Sequence, residues 1–186
     1  MNKLILLLSI LAISISTVNA QEKLPIDISK STIKWSCDYS FYFNGHYGIV
    51  TFQKGHFTKT NGKITGGTFT IDLNTITTQD MEEEGNKNLT AHLKDPDFFD
   101  VKKFPTATLE MKNVSYLETN KIRVEADLTI KGITKDVKFD ATLNFDTKTM
   151  KTRFKIDRTR WGINYNSAVK DSAISDAIGF EVTIGI

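Results

Sequence analysis

The chain has 186 residues, of which 40% are hydrophobic and 25% are charged, and its formal net charge is +2. A charge so close to balance argues against nucleic acid or a strongly anionic surface as the partner. The single cysteine, Cys37, cannot form an internal disulfide, so the fold must be held by packing.

The first twenty residues have the pattern of a secretory signal peptide. Lys3 gives a positive start, Leu4 to Ile15 is mostly apolar, and small side chains of Val18-Asn19-Ala20 precede Gln21. The apolar run is short for a membrane span, although a retained anchor helix is the alternative. We therefore predict cleavage near Ala20-Gln21 and a soluble protein in the periplasm or outside the cell. Residues 21–186 are expected to form one domain.

The first part of the predicted domain contains two short strands. Residues 21–30 are interpreted as a lead-in, and Thr32–Cys37 alternates polar with apolar side chains, as a half-buried strand does. Asp38–Gly48 is rich in aromatic residues and is either a turn or a loop at the mouth of a cavity. A second strand is predicted from Ile49 to about Lys54.

A third strand and the predicted helix follow. After Gly66-Gly67, alternate residues from Phe69 to Leu73 are apolar, which indicates a strand. Leu89 and Leu93 lie four residues apart, and this spacing predicts a short helix over residues 86–94 that Pro96 ends. We expect the helix to pack on the sheet or to close one end of it.

The clearest strand pattern in the chain runs from Ile122 to Phe145. Apolar residues alternate with polar ones up to Ile130, and the alternation resumes at Val137. Gly132, in the break, has the backbone freedom that a tight hairpin turn needs. Two long antiparallel strands are therefore predicted here.

Further alternation predicts strands over residues 107–111, 150–157 and 180–186, for a total of about eight. Antiparallel strands in this number form a barrel or a sandwich. We favour an all-β antiparallel barrel, because closure leaves no unpaired edge to recruit another chain.

Three segments resemble the signature motifs of the YceI-like family. They are His92–Pro105, Leu128–Val137 and Ile156–Gly162, and the closing strand is also similar. The resemblance covers residues 21–186 and implies a lipocalin-like barrel around an apolar tunnel. It also implies a long lipid as ligand: a polyisoprenoid, an isoprenoid quinone or a fatty-acyl derivative. Members are often dimers, so a homodimer is one expectation. Transient contact with a membrane is another, because the lipid would come from one.

The predicted ligand-binding residues are apolar side chains on the inward faces of the strands, with others from the helix and the motifs. They are Trp35, Phe69, Ile71, Leu73, Leu89, Leu93, Phe98, Phe99, Leu109, Met111, Val124, Leu128, Phe139, Leu143, Phe154 and Trp161. Periodicity alone does not separate an open tunnel from a barrel filled by its own side chains. The open tunnel is what the resemblance implies.

Three polar residues are candidates for contact with the head group of a lipid: His46, His92 and Arg158. His92 with Asp95 and Asp97 could bind a metal or act as a base, but we favour a role in capping the helix and fixing the turn. No nucleophile elbow, HExxH motif or glycine-rich phosphate loop is present. We therefore predict no metal, no cofactor other than bound lipid, and no enzymatic activity.

The sequence thus predicts an exported carrier that holds one long lipid. Two alternatives stay open at this point. One is an interaction module with a filled barrel, and the other is an enzyme that modifies a lipid head group.

Overall fold

The computed structural model describes residues 21–39, 45–165 and 174–186, which form nine strands and two helices. Strands β1 to β9 span, in chain order, Glu22–Pro25, Asp27–Tyr39, Gly45–Thr60, Lys63–Thr78, Thr106–Tyr116, Lys121–Ile130, Ile133–Asn144, Thr149–Asp157 and Ile174–Gly185. Helix α1 spans Glu83–Lys94, and a short 3-10 helix spans Arg158–Trp161.

The strands form one closed antiparallel barrel, as the sequence predicts. Neighbours around the barrel are β2, β9, β8, β7, β6, β5, β4 and β3, and β3 returns to β2. β1 is short, continues the line of β2 and pairs with β3, so it adds no separate position to the barrel. The barrel therefore has eight long strands. Closure gives every one of these strands two hydrogen-bonded neighbours.

Strand β3 closes the barrel by pairing with two neighbours at the same residue. Gly48 lies opposite Trp35 of β2 and opposite Thr78 of β4. A β-carbon at this position would overlap the carbonyl oxygen of Thr77. The indole N–H of Trp35 also donates to that oxygen, at 3.1 Å. Glycine is required here because the two strands approach too closely for any side chain.

The two ends of the barrel differ. The β3–β4, β5–β6 and β7–β8 turns lie at one end, which we call the hairpin end. At the opposite end, the helical end, lie α1, residues 95–105, the β6–β7 turn and the 3-10 helix. Within the described residues, no helix is long and apolar enough to cross a membrane.

Helix α1 is anchored to the helical end by a few specific contacts. The side chain of Asn86 brackets the backbone of Met81, accepting from its N–H and donating to its carbonyl. The hydroxyl of Thr90 accepts from the N–H of Thr78, and Lys94 donates to the carbonyl of Asn74. Leu93 is the buried residue of the helix. The helix therefore covers the end of β4, as the predicted packing requires.

The central hairpin forms as predicted, with Lys131 and Gly132 as its turn. Their φ angles are +51° and +73°, the combination found in the tight turns that suit the twist of paired strands. Pairing runs without a break from Ile130 opposite Ile133 to Lys121 opposite Thr142.

Several predicted boundaries were wrong. Residues 21–30, interpreted as a lead-in, contain β1 and the start of β2. Pro25 fits in β1 because that strand pairs on one side only, so its missing N–H leaves no partner unsatisfied. α1 begins at Glu83 instead of residue 86, with Glu83 and Glu84 beside the positive end of the helix dipole. The predicted signal peptide lies outside the described residues, as does the 40–44 part of the aromatic segment.

Substitution of Gly48 tests the closure of the barrel. Gly48→Ala is expected to lower the free energy of unfolding by about 3 kcal/mol or more, because the new methyl group meets backbone that cannot move aside. Gly66→Ala in β4 is the matched control: its β-carbon would lie 3.7 Å from the nearest atoms, an ordinary contact. The control should stay within about 1 kcal/mol of the wild type. Equal stabilities of the two variants in urea would contradict the closure at Gly48.

Candidate ligand-binding cavity

The interior of the barrel holds a cavity of about 310 Å³, within the size range of small-molecule sites. Its lining reaches from Tyr39, His46 and α1 at the helical end to Met150 and Ile184 on the hairpin side. Most of the lining is apolar, and the polar side chains lie mainly at the helical end. The barrel is thus not filled by its own side chains.

The structure brings most of the predicted ligand-binding residues onto the lining of this cavity. The lining includes Trp35, Phe69, Ile71, Leu73, Leu89, Leu93, Phe98, Phe99, Leu109, Met111, Leu128, Phe139 and Phe154. The three predicted head-group residues, His46, His92 and Arg158, also lie on it. Their contact with a ligand stays a prediction.

Three predicted ligand-binding residues lie off the lining. Val124 and Leu143 are buried, as expected of inward residues, but neither is on the lining, although Phe139 and Met150, which lie opposite them, are. Trp161 is in the 3-10 helix, fully buried, with its indole N–H donating to the carbonyl of Leu128 at 3.0 Å. Inward parity gives the face of a residue but not whether other side chains cover it, and Trp161 is outside the strands altogether.

Sequence reasoning missed a further set of lining residues. They are Ile33, Cys37, Tyr39, Val50, Phe52, Ile76, Ala107, Ile130, Met150, Thr152, Tyr165, Ile174, Ile178, Phe180, Val182 and Ile184. Many of them share the strand parity of predicted neighbours, so the parity itself was the available signal. In β9, for example, Ile178, Phe180, Val182 and Ile184 lie on the lining at a spacing of two.

A hydrogen-bonded chain of three side chains lies at the helical end. The Nδ1–H of His46 donates to Asp80 at 2.8 Å, and the other oxygen of Asp80 accepts from the N–H of Tyr47. Because a carboxylate only accepts, this bond fixes the tautomer of His46, and the Tyr39 hydroxyl donates to its Nε2 at 2.6 Å. Burial, with a further contribution from Asp80, raises the pKa of Tyr39. The chain holds His46 in place but does not activate the phenol as a nucleophile.

Arg158 is a buried cation on the lining. It follows the last inward residue of β8 and is 2% exposed. Its guanidinium donates to the carbonyls of Ile163 and Ser175 and to the carboxylate of Asp176, at 2.6, 3.2 and 2.9 Å. These bonds offset the cost of burying the charge. Asp157, the residue before Arg158, accepts from the N–H and hydroxyl of Thr159 and fixes the start of the 3-10 helix.

The Cys37 thiol also lies on the lining, close to Arg158. Burial raises its pKa to about 11, and the nearby guanidinium offsets only part of that effect. A thiol is a nucleophile only as its thiolate, which is scarce at neutral pH under these conditions. The thiol is therefore expected to be inert at neutral pH.

His92 lies between two aromatic rings near the end of α1. Its ring is edge-on to Phe98 and to Tyr165, with ring centroids 5.0 and 4.8 Å away. One donor atom each of His92, Asp95 and Asp97 lies within 4.8 Å of the others, so the three could hold a metal ion. Both carboxylates are exposed and approach opposite ring nitrogens, each at 3.8 Å. The absence of a metal from this group stays a prediction.

The backbone around His92 supports the predicted role of this segment in a turn. The N–H of Asp95 donates to the carbonyl of His92, which ends the helix. The carbonyl of Asp95 accepts from the N–H groups of Phe98 and Asp100. The turn places Phe98 against the cavity.

A cavity of this kind, apolar along the strands and polar at one end, suits an amphipathic molecule. Comparison with known proteins gives the family. The sequence model of the YceI-like domain matches residues 25–186. The chain belongs to the YceI-like family.

Relatives in two bacteria support this assignment. The chain is 30% identical over 129 residues to a UPF0312 protein of Pseudomonas putida, covering 69% of this chain and 65% of the relative. It is 28% identical to a UPF0312 protein of Staphylococcus aureus, covering 73% and 88% of the two chains. The match therefore spans less than two thirds of the Pseudomonas relative. Neither name describes an enzyme.

Solved structures show the same fold. BcnA of Burkholderia cenocepacia superposes with a TM-score of 0.71 at 20% identity, covering 86% of this chain and 98% of that one. The YceI protein of Campylobacter jejuni gives a TM-score of 0.50 at 25% identity, covering 65% and 72%. At these identities the YceI-like barrel is shared while most side chains differ.

Alkylation of Cys37 tests the polarity of the lining. At pH 8 a pKa of about 11 leaves the thiolate roughly a hundredfold or more scarcer than in a free cysteine. Iodoacetamide should therefore label the folded protein at least about a hundredfold more slowly than the protein unfolded in guanidinium chloride. Labelling followed by mass spectrometry is unambiguous, because the chain has one cysteine. Equal rates in the two states would contradict a desolvated thiol.

Proposed function

We propose that this protein is an exported carrier that holds one long-chain lipid in its barrel. The ligand class is an isoprenoid, an isoprenoid quinone or a fatty-acyl lipid. The observation that carries the proposal is the open, largely apolar cavity of about 310 Å³. A barrel that served only as an interaction module would have no need of an unfilled interior, so the cavity favours the carrier over that alternative.

The apolar lining accounts for affinity without any covalent step. Burying a tail against it gains about 25 cal/mol per Å² of apolar surface removed from water. The costs of association and of ordering the chain offset a large part of that gain. Aliphatic and aromatic walls offer no directional contacts to a hydrocarbon, so selection among tails of similar length should be loose.

The distribution of polar groups gives the bound lipid a direction. His46, His92 and Arg158 lie at the helical end, whereas Met150 and Ile184 mark the deepest apolar part of the lining. We therefore propose that the head group lies near α1 and that the tail points toward the hairpin end. The Thr152 hydroxyl, deeper in the cavity, donates to the carbonyl of Asp140 and is already satisfied.

Export and exchange with membranes belong to the same proposal. The signal-peptide pattern of residues 1–20 supports delivery to the periplasm or beyond, where a lipid that leaves one membrane needs a shielded path to another. Loading and release would require transient contact with a membrane, and a homodimer is compatible with either. No nucleic acid is expected as partner, given the near balance of charge.

Mass spectrometry of bound lipid is the direct test of the carrier function. The protein, expressed with its signal sequence in a bacterial host and purified without detergent, should release a polyprenyl, quinone or acyl species in organic solvent at close to one molecule per chain. If the host makes such lipids but the extract contains no more of them than the extract of an unrelated exported protein, the proposal is contradicted.

A cavity-filling substitution tests where that lipid lies. Leu109→Trp is expected to remove most of the retained lipid, because Leu109 lines the cavity and the larger ring takes up its space. The matched control is Leu117→Trp, an exposed leucine in the β5–β6 turn, which should retain as much lipid as the wild type. Circular dichroism checks that both variants keep the barrel. Full lipid retention by a folded Leu109→Trp variant would place the ligand elsewhere.

A further inference from the structure

One polar atom of the cavity lining has no hydrogen-bond partner among the described residues. It is Nε2 of His92, which is shielded from solvent. The carboxylate of Asp97 lies 3.8 Å from it, beyond hydrogen-bond length. A buried nitrogen in this state is unfavourable, because it has lost its contact with water and gained nothing in exchange.

The ring of His92 is held in place, so the nitrogen cannot easily turn away. Phe98 and Tyr165 both meet it edge-on, each with an interplanar angle of 73°. The backbone of His92 is fixed by the hydrogen bond that ends α1. A partner for Nε2 must therefore come to it, and because His92 lies on the cavity lining, a ligand in the cavity is the natural candidate.

The charges at the helical end limit what that partner can be. Arg158 is paired with Asp176, and His46 is bonded to Asp80. His92 instead faces two carboxylates, with Oδ2 of Asp95 at 3.8 Å from Nδ1 and Oδ2 of Asp97 at 3.8 Å from Nε2. On the described lining at this end, Arg158 and His46 are thus each paired with a carboxylate and His92 faces two, so an anionic head group beside His92 would be repelled.

We infer that His92 binds an uncharged, hydrogen-bonding head group, such as a hydroxyl, a carbonyl or an amide, and that the site selects against carboxylate and phosphate heads. A hydroxyl or a primary amide can both donate and accept, so it satisfies Nε2 in either tautomer, whereas a carbonyl requires the Nε2–H form. The inference rests on the proposed function, since it needs a tail in the cavity.

Four probes with the same twelve-carbon tail separate the head group from the tail: dodecane, 1-dodecanol, dodecanamide and laurate. The purified, lipid-free protein is titrated at pH 8, where laurate is ionised, and binding is followed by tryptophan fluorescence. Trp35 lines the cavity and reports on it, whereas Trp161 does not line it. Dodecanol and dodecanamide should bind about tenfold more tightly than dodecane, and laurate about tenfold more weakly than dodecanol.

Two variants connect this preference to His92 and its carboxylates. His92→Phe keeps an aromatic ring between Phe98 and Tyr165, and the affinities of dodecanol and dodecanamide should fall toward that of dodecane on the same variant. Asp95→Asn combined with Asp97→Asn should raise the affinity for laurate. Asp146→Asn, an exposed carboxylate at the hairpin end, is the matched control and should leave all four affinities unchanged.

The outcomes separate this inference from the carrier function itself. Tighter binding of laurate than of dodecanol, or an unchanged head-group preference in a folded His92→Phe variant, would overturn the inference while leaving a lipid carrier in place. Failure of all four probes to bind, dodecane included, would overturn the carrier function and the inference with it.

Discussion

The closed barrel depends on the pairing of three strands at Gly48. There β3 pairs with β2 on one side and β4 on the other, and the backbone of β4 occupies the space that a side chain would need. At the same place, the indole N–H of Trp35 in β2 donates a hydrogen bond to the carbonyl of Thr77 in β4. Closure sets the circumference of the barrel, and with it the amount of interior that inward side chains must fill.

The interior is filled unequally along its length. Phe57, Ile122 and Val124 are fully buried at the hairpin end, where their packing stabilises the barrel. Toward the helical end, the inward side chains leave a cavity whose polar residues come mainly from strand ends, α1 and the 3-10 helix. Stability and binding are therefore carried by different parts of the same inward face, because a region packed for stability leaves no room for a ligand.

The sequence predicted the barrel where alternation was uninterrupted, as from Ile122 to Phe145, and the lining where parity could be extended along a strand. Arg158, predicted as a head-group contact, follows Ile156 at the inward spacing of β8 and lies on the lining. That Val124 and Leu143 lie off the lining could not be predicted, because parity does not show which inward side chains are covered by their neighbours. The bond between His46 and Asp80 could not be predicted either, since it joins residues 34 positions apart through closure.

The deep end of the cavity has a consequence for the length of any molecule bound there. Met150 and Ile184 lie opposite each other in neighbouring strands, and each is 3% exposed. For a lipid whose head group lies at the helical end, this pair would limit the length of the tail. A shorter tail would leave a void, and a longer one would be forced back toward the opening. Head-group chemistry would then depend on residues of the helical end, and chain length on strand residues toward the hairpin end.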